Sequence, residues 1–517
     1  MERFIERFRS SIAGVLSGFD RLVFRGHLHR LTYSQGLMRY LFGQRVLLKD
    51  FVPWAKERTE ALKARFEAEA AKSGQEVVYI QSPSARKEPL ARKAQIKRGI
   101  SDGPVAFFSC LEPCRTWKVR GDRKAKKLAP VRGPGQCLHL YRYMDDPRFG
   151  FMHVRLQTWF PFTIQVCMNG REFLRRALSR EGLGYRMYDN SFSHLEDWPR
   201  AQRLMDKMRD LDWIRVLNGF ATQVFPQRRR LLGDIDYRWS VYQSEWATDV
   251  TFDSEATLNR LFPALLRHAL TTSDTATVLR YLGQRVTAAG TAHPELEKEV
   301  ATRLVRRAEG VCIKHCVGIN GIKGYNKGSN LRAESTINDP KGFKVYRCAQ
   351  GGDGTKDWRT MRSGVTDLKR RAEVSQGINE RYLDHQATAC TDQPLGNLLG
   401  QLSKPVTWKK ARLRALDLTG KDRLLVDLLA DPALAINGVR NSDLRERLRA
   451  DGRAVGKTDR QLAGMATRLL RLLRAHGVIK KVSKSHRYQL TDSGRLAISA
   501  VKSAMAASVE KLVSLAA

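Results

Sequence analysis

Residues 311–347, VCIKHCVGINGIKGYNKGSNLRAESTINDPKGFKVYR, constrain this chain more than any other stretch. Apolar and polar residues nearly alternate through 319–325 and 331–337. Between them stands Asn326-Lys327-Gly328-Ser329-Asn330. Period-two runs flanking a turn of Asn, Gly and Ser predict a β-hairpin, here with a third strand beside it. The stretch carries Lys314, Lys323, Lys327, Arg332, Lys341, Lys344 and Arg347 against Glu334 and Asp339 alone. Such a sheet is either a platform for a polyanion or a catalytic sheet on which Glu334 holds a metal ion.

Charge favours the polyanion. The chain has 517 residues and a formal net charge of +38 at pH 7. A surplus of that size concentrates polyanions and gains affinity for phosphate backbones by releasing counterions. DNA is the expected partner, with RNA as the alternative for the body of the chain. At 42% hydrophobic residues the chain has enough apolar matter for folded cores. No long uninterrupted apolar run points to a membrane. The first residues, MERFIERFRSSIAG, lack the apolar stretch and cleavage site of a secretory signal. Eight scattered cysteines fit reduced thiols, so a cytoplasmic location is expected.

The pattern along the chain predicts a mixed α+β protein with several domains. Residues 1–170 read as an α/β domain: a mainly helical start, with a helix over 51–72 and a short strand or turn near Asp20, then strand-like runs from 77 onward. Within it, 115–132 (RTWKVRGDRKAKKLAPVR) reads as a basic loop, with Arg120, Arg123, Lys124, Lys126 and Lys127 as phosphate contacts. Residues 171–400 read as helices around the central antiparallel sheet. Trp117, Tyr325, Phe343 and Tyr346, interleaved with basic residues, are candidates for base stacking.

Residues 421–495 give the clearest pattern. Three helices are followed by two short strands around Ser483-Lys484-Ser485, with Thr458 or Asp459 as N-cap of the third helix and Gly477 past its end. This is the layout of a winged helix-turn-helix. Residues 469–494, LLRLLRAHGVIKKVSKSHRYQLTDSG, resemble the C-terminal half of MarR-like regulators. The resemblance implies duplex DNA contact by Arg460, Arg468 and Arg471 on the third helix. It implies backbone contact by Lys480, Lys481, Lys484 and Arg487 on the wing.

Other motifs weigh less. Gly452 to Lys457 has three residues between its glycines where a phosphate-cradling loop has four, so it reads as a connection. His27-Leu28-His29 has the spacing of a metal-holding pair but reads better as a turn. Cys110, Cys114, Cys312 and Cys316 are a conceivable zinc set, with buried free thiols the better reading. Asp20, Asp249 and Glu334 are the carboxylates that a Mg²⁺-dependent nuclease would need to bring together. The competing reading of Glu334 is a salt bridge to Arg332 on the same strand face.

Lys323 to Gly328 followed by Leu331-Arg332-Ala333-Glu334 resembles a segment of rolling-circle replication initiators. That resemblance implies a DNA nickase with Glu334 and Asp249 as metal ligands and a tyrosine nucleophile, for which Tyr382 is the candidate. Residues 149–170 and 330–347 are similar to a group of long bacterial proteins carried by mobile elements. The leading expectation is therefore a nucleic-acid-binding protein of a bacterial mobile element. The alternatives are a Mg²⁺-dependent replication-initiator or transposase-like nickase, and a transcriptional regulator.

Overall fold

The computed structural model describes the chain except residues 123–125, 287–293, 308–309, 349–353, 388–394, 410, 432–433, 435–437, 483–484 and 511–517. Arg123, Lys124 and Lys484 lie outside the described residues.

The protein is a mixed α+β structure built on one 11-stranded sheet. Its strands are β1 (Ile12–Leu28), β2 (Val77–Tyr79), β3 (Gly103–Asp122), β4 (Lys127–Asp146), β5 (Gly150–Gln157) and β6 (Ile164–Asn169). A separate hairpin follows, β7 (Tyr185–Tyr188) and β8 (Ser191–Leu195). Then come β9 (Tyr237–Phe252), β10 (Val300–Arg307), β11 (Gly310–Val317), β12 (Asn320–Lys327) and β13 (Asn330–Ile337). The sheet order is β10-β11-β12-β13-β9-β1-β6-β5-β4-β3-β2. Strands from both sides of residue 170 share this sheet, so the boundary expected there falls inside it.

The order shows one connectivity used twice. A long strand (β1, β9) leads into helices. A four-stranded antiparallel meander (β3 to β6, β10 to β13) then returns its last strand to pair with the first. β1 and β9 lie side by side and antiparallel at the centre. Only β2 pairs in parallel within this sheet, with β3.

β1 corrects the expectation of a mainly helical start with a short strand or turn. Leu16, Phe19, Leu22, Phe24 and Leu28 are buried along its 17 residues. Glycine lets its backbone approach neighbours closely: a Cβ at Gly18 would sit 2.3 Å from Met205, and one at Gly26 2.6 Å from Ile164. The basic stretch at 115–132 also differs from its expected form. Its described residues form no loop but the far end of a long hairpin, in which β3 and β4 stay paired from Gly103↔Asp145 out to Asp122↔Lys127. Backbone pairing holds the exposed cations Arg120 and Lys127 on this arm, with Lys126 exposed next to its last pair.

The two faces of the sheet differ. One is apolar and covered by helices. Phe24 packs on Trp213 of helix Trp213–Val224, and Trp246 hydrogen-bonds Gln376 of helix Leu368–Gln386. Helices Glu255–Thr272 and Thr275–Tyr281 extend this core over β11 to β13. Side chains on strands alternate between faces, so the other face collects polar residues: Lys323 and Tyr325 from β12, Arg332 and Glu334 from β13, Glu245 and Asp249 from β9, and Asp20 and Arg21 from β1. β7, β8 and helix Lys87–Arg98 cover parts of it.

Residues beyond 395 form a smaller unit with its own core of Leu425, Leu444, Leu462, Leu473, Val478 and Ile498. Helix Asn441–Ala450 packs on helix Asp459–Ala475, and strands Ile479–Lys481 and Tyr488–Leu490 pair behind them. Val439 adds a single bridge to Tyr488. Thr458 caps the second helix in a capping box with Gln461. No helix among the described residues is long and apolar enough to cross a membrane.

Candidate functional site

The three carboxylates do meet. β1, β9 and β13 are neighbours, and Asp20, Asp249 and Glu334 share the polar face, 6%, 1% and 4% exposed. Register explains the meeting: Arg332 stands opposite Asp249, and Glu334 opposite Ala247. Phe19 packs on Trp246 of the apolar face, so Asp20 alternates onto the polar one, and the bulge between Phe19 and Arg21 keeps Arg21 there as well.

The cations decide what the cluster is. Arg332 does not pair with Glu334, as expected from the sequence, but reaches across to β9. Its Nε lies 2.6 Å from Asp249 Oδ1 and its Nη2 2.9 Å from Oδ2, with Nη1 3.5 Å from Asp20 Oδ1. Arg171 donates to Asp249 Oδ2 at 2.9 Å. Glu334 accepts from Lys323 through one oxygen and from the Tyr325 hydroxyl at 2.7 Å through the other. The turn between β7 and β8 closes over the group. There Asp189 has φ +50°, a left-handed geometry that Asp tolerates. Asn190 donates to Asp20 Oδ1 at 2.6 Å and its carbonyl accepts from Arg332 at 2.6 Å.

This environment separates the carboxyls. Burial pushes the Asp20 pKa up, with Arg332 opposing and the Glu334 charge adding to the rise. Burial and Glu334 likewise raise Glu245. Burial also acts on Asp249, but Arg332 and Arg171 more than offset it and hold this carboxyl below its ordinary value. Glu334 is held low in the same way, burial being outweighed by Lys323 and Arg332.

Magnesium does not fit this donor set. It needs several carboxylate or water oxygens in octahedral geometry. Both oxygens of Asp249 and both of Glu334 are taken by cations or a hydroxyl, and no group of three or more metal-ligating side chains occurs among the described residues. Tyr382 is not part of the cluster. It lies buried on the apolar face, where a Cβ on Gly324 would stand 2.1 Å from its hydroxyl. The zinc reading fails on distance. The cysteine pairs sit on β3 and β11, eight strands apart, which is about 38 Å at ~4.8 Å per strand.

The expected phosphate contacts divide. Lys323 and Lys327 are committed to Glu334 and Asp189. Arg120, Lys126 and Lys127 are exposed on the arm. Arg460, Arg468, Arg471, Lys480 and Lys481 are exposed on the C-terminal unit, and Arg487 is half-buried there. Positions 460, 464, 468 and 471 fall on one helix face, with Gly464 leaving room for close approach. Arg471 and Arg474 flank the Trp408 ring at 5.9 and 5.0 Å.

Of the four stacking candidates, Trp117 and Phe343 are core residues and Tyr325 is held by Glu334. Tyr346 is 57% exposed on β14 (Lys344–Cys348), and its cross-strand neighbour on β15 (Lys356–Thr360) is Trp358, 55% exposed. The rings lie 5.5 Å apart. Lys344, Arg347, Arg359 and Arg362 line an open depression of about 610 Å³ beside them. Sequence reasoning missed Trp358, whose alternation in KDWRT was its one signal.

Comparison with known proteins adds no relative: no family model, curated protein or solved structure matches this chain.

Proposed function

We propose that this chain is a nucleic-acid-binding protein that engages duplex DNA through its C-terminal unit. The observation that carries the reading is the exposed stripe of Arg460, Arg468 and Arg471 on helix Asp459–Ala475, next to a hairpin bearing Lys480 and Lys481. A helix packed across a second helix and followed by a two-stranded wing is the arrangement of a winged helix-turn-helix. Such a helix reads the major groove while the wing touches phosphates. In the body, the exposed Tyr346–Trp358 pair among arginines suits unpaired bases, which stack on aromatic faces. The setting in a bacterial mobile element rests on the sequence resemblance alone.

The test is fluorescence anisotropy with a labelled duplex across a salt series. Each lost phosphate contact lowers the slope of log K against log salt by about 0.9. Lys480→Ala with Lys481→Ala on the wing should weaken binding and flatten the slope by up to about 2, and Arg460→Ala with Arg468→Ala on the helix should weaken binding. Unchanged affinity in the helix variant removes the helix from the interface.

A nickase is the second reading, favoured by the convergence of Asp20, Asp249 and Glu334. Arg332 and Lys323 would have to leave before a metal could enter. Supercoiled plasmid with Mg²⁺ should therefore stay intact with the wild-type chain. Nicking that Glu334→Gln abolishes would reinstate the enzyme.

A further inference from the structure

Four arginines line one small cavity near the C-terminal end of β1: the half-buried Arg25 from β1, Arg132 from β4 and Arg155 from β5, and the exposed Arg115 from β3. The cavity measures about 180 Å³. A space of this size takes one tetrahedral anion with some of its hydration.

The charges are poorly compensated. Arg155 has a carboxylate partner, Glu112, at 2.5 Å, and Glu112 also serves Lys87 at 3.0 Å. Arg132 donates to a neutral carbonyl, that of Thr32, at 3.0 Å, and Arg25 stacks on the Tyr242 ring at 3.9 Å. The Nε atoms of Arg132 and Arg155 are buried without a hydrogen-bond partner. His27 and His139 also line the cavity. Burial lowers both pKa values to about 4, with Arg25 and Arg132 pressing on His27 and Arg155 on His139. Both imidazoles are thus neutral donors or acceptors at pH 7.

We infer that this cavity is a binding site for a single phosphate group, of the dianionic kind carried by inorganic phosphate or by the phosphorylated end of a nucleic-acid strand. Planar guanidinium forks grip phosphate oxygens in pairs. Arg25 and Arg132 are half-buried here without a carboxylate partner among the described residues, and Arg115 stands exposed beside them. The site is separate from the C-terminal unit, so it stands or falls independently of duplex binding there.

The test uses the full chain in isothermal titration with inorganic phosphate at fixed ionic strength. One saturable site is expected. Arg115→Gln, whose side chain forms no ion pair among the described residues, should weaken it at least tenfold, equal to about 1.4 kcal/mol. Lys56→Ala with Arg65→Ala removes exposed charge from helix Phe51–Lys72 and should leave the affinity unchanged. Arginine-directed labelling with phenylglyoxal, read by mass spectrometry on the wild-type chain, should show phosphate protecting Arg115 and Arg132 but not Arg65. Competition separates the sources. A short strand with a 5′-phosphate that displaces phosphate better than its 5′-hydroxyl form supports a strand end as the ligand, failure of both strands to displace it supports free phosphate, and equal displacement by both overturns a site for a single phosphate group. The inference is overturned if wild type shows no saturable phosphate binding, or if Arg115→Gln binds as wild type does and the arginines are unprotected.

Discussion

Arg332→Met tests whether the central cluster is a structural ion network. The substitution keeps most of the side chain's length and removes its charge. Asp249 then loses two of its three cationic hydrogen bonds, at 2.6 and 2.9 Å, and keeps Arg171. Asp20 loses its 3.5 Å ion pair, and the Asn190 carbonyl loses a donor. Breaking a buried pair by removing one partner costs about 3–5 kcal/mol, because the remaining charge stays in a poor dielectric. The β7–β8 turn, tied to the sheet through Arg332, should loosen with it. Denaturant unfolding followed by tryptophan fluorescence measures the loss on the body's own transition, since a chain with a separate C-terminal core need not unfold in one step. Adding Asp249→Leu removes the orphaned charge, so the double variant should recover a large part of the loss. A loss under about 1 kcal/mol in Arg332→Met, or a double variant in which the two costs simply add, would refute the network.

Two further outcomes follow. Depressed carboxyl pKa values stabilise the fold above the unfolded-state value and are lost as pH falls through the folded value; Asp249 and Glu334 act in this sense, whereas Asp20 and Glu245, raised by burial, favour the fold at low pH and lose that contribution as pH rises. Acid unfolding of Asp249→Asn should therefore show a shallower loss of stability than wild type as pH falls below the ordinary Asp value of 3.8, and an unchanged slope would assign the acid transition elsewhere. Replacing Tyr346 and Trp358 with alanine should weaken single-stranded oligonucleotide binding by about 1–3 kcal/mol per stacked base while sparing duplex affinity, and equal losses on both substrates would deny the stacking role.

Local pattern was enough for some of this. The turn expected over 326–330 tightens to Gly328-Ser329 between β12 and β13, with Asn326, Lys327 and Asn330 already paired in the strands. The caps and periodicity after 420 place the helices and hairpin of the C-terminal unit. The 51–72 helix runs over those residues. Charge alone named a polyanion as the partner to expect. Wherever strands pair over long distances, local pattern failed. β1 contains three glycines, each of which lets a neighbouring side chain approach closely, and in the sequence the stretch read as a short strand or turn. The basic stretch at 115–132 is dense in turn-forming and charged residues, yet pairing across β3 and β4 keeps 115–122 and 127–132 extended. Alternation along β13 put Arg332 and Glu334 on one face and suggested that they pair. Which partner each takes depends on the strands alongside, and register gave Arg332 to Asp249 and Glu334 to Lys323 and Tyr325. The sequence by itself determined the charge, the hairpin and the C-terminal layout, because these depend on neighbours within a few residues. Only the tertiary structure gathered Asp20, Asp249 and Glu334, set Arg332, Arg171 and Lys323 against them, and brought four arginines to one cavity. Those groups lie tens to hundreds of residues apart in the chain, and strand order with register is what makes them neighbours.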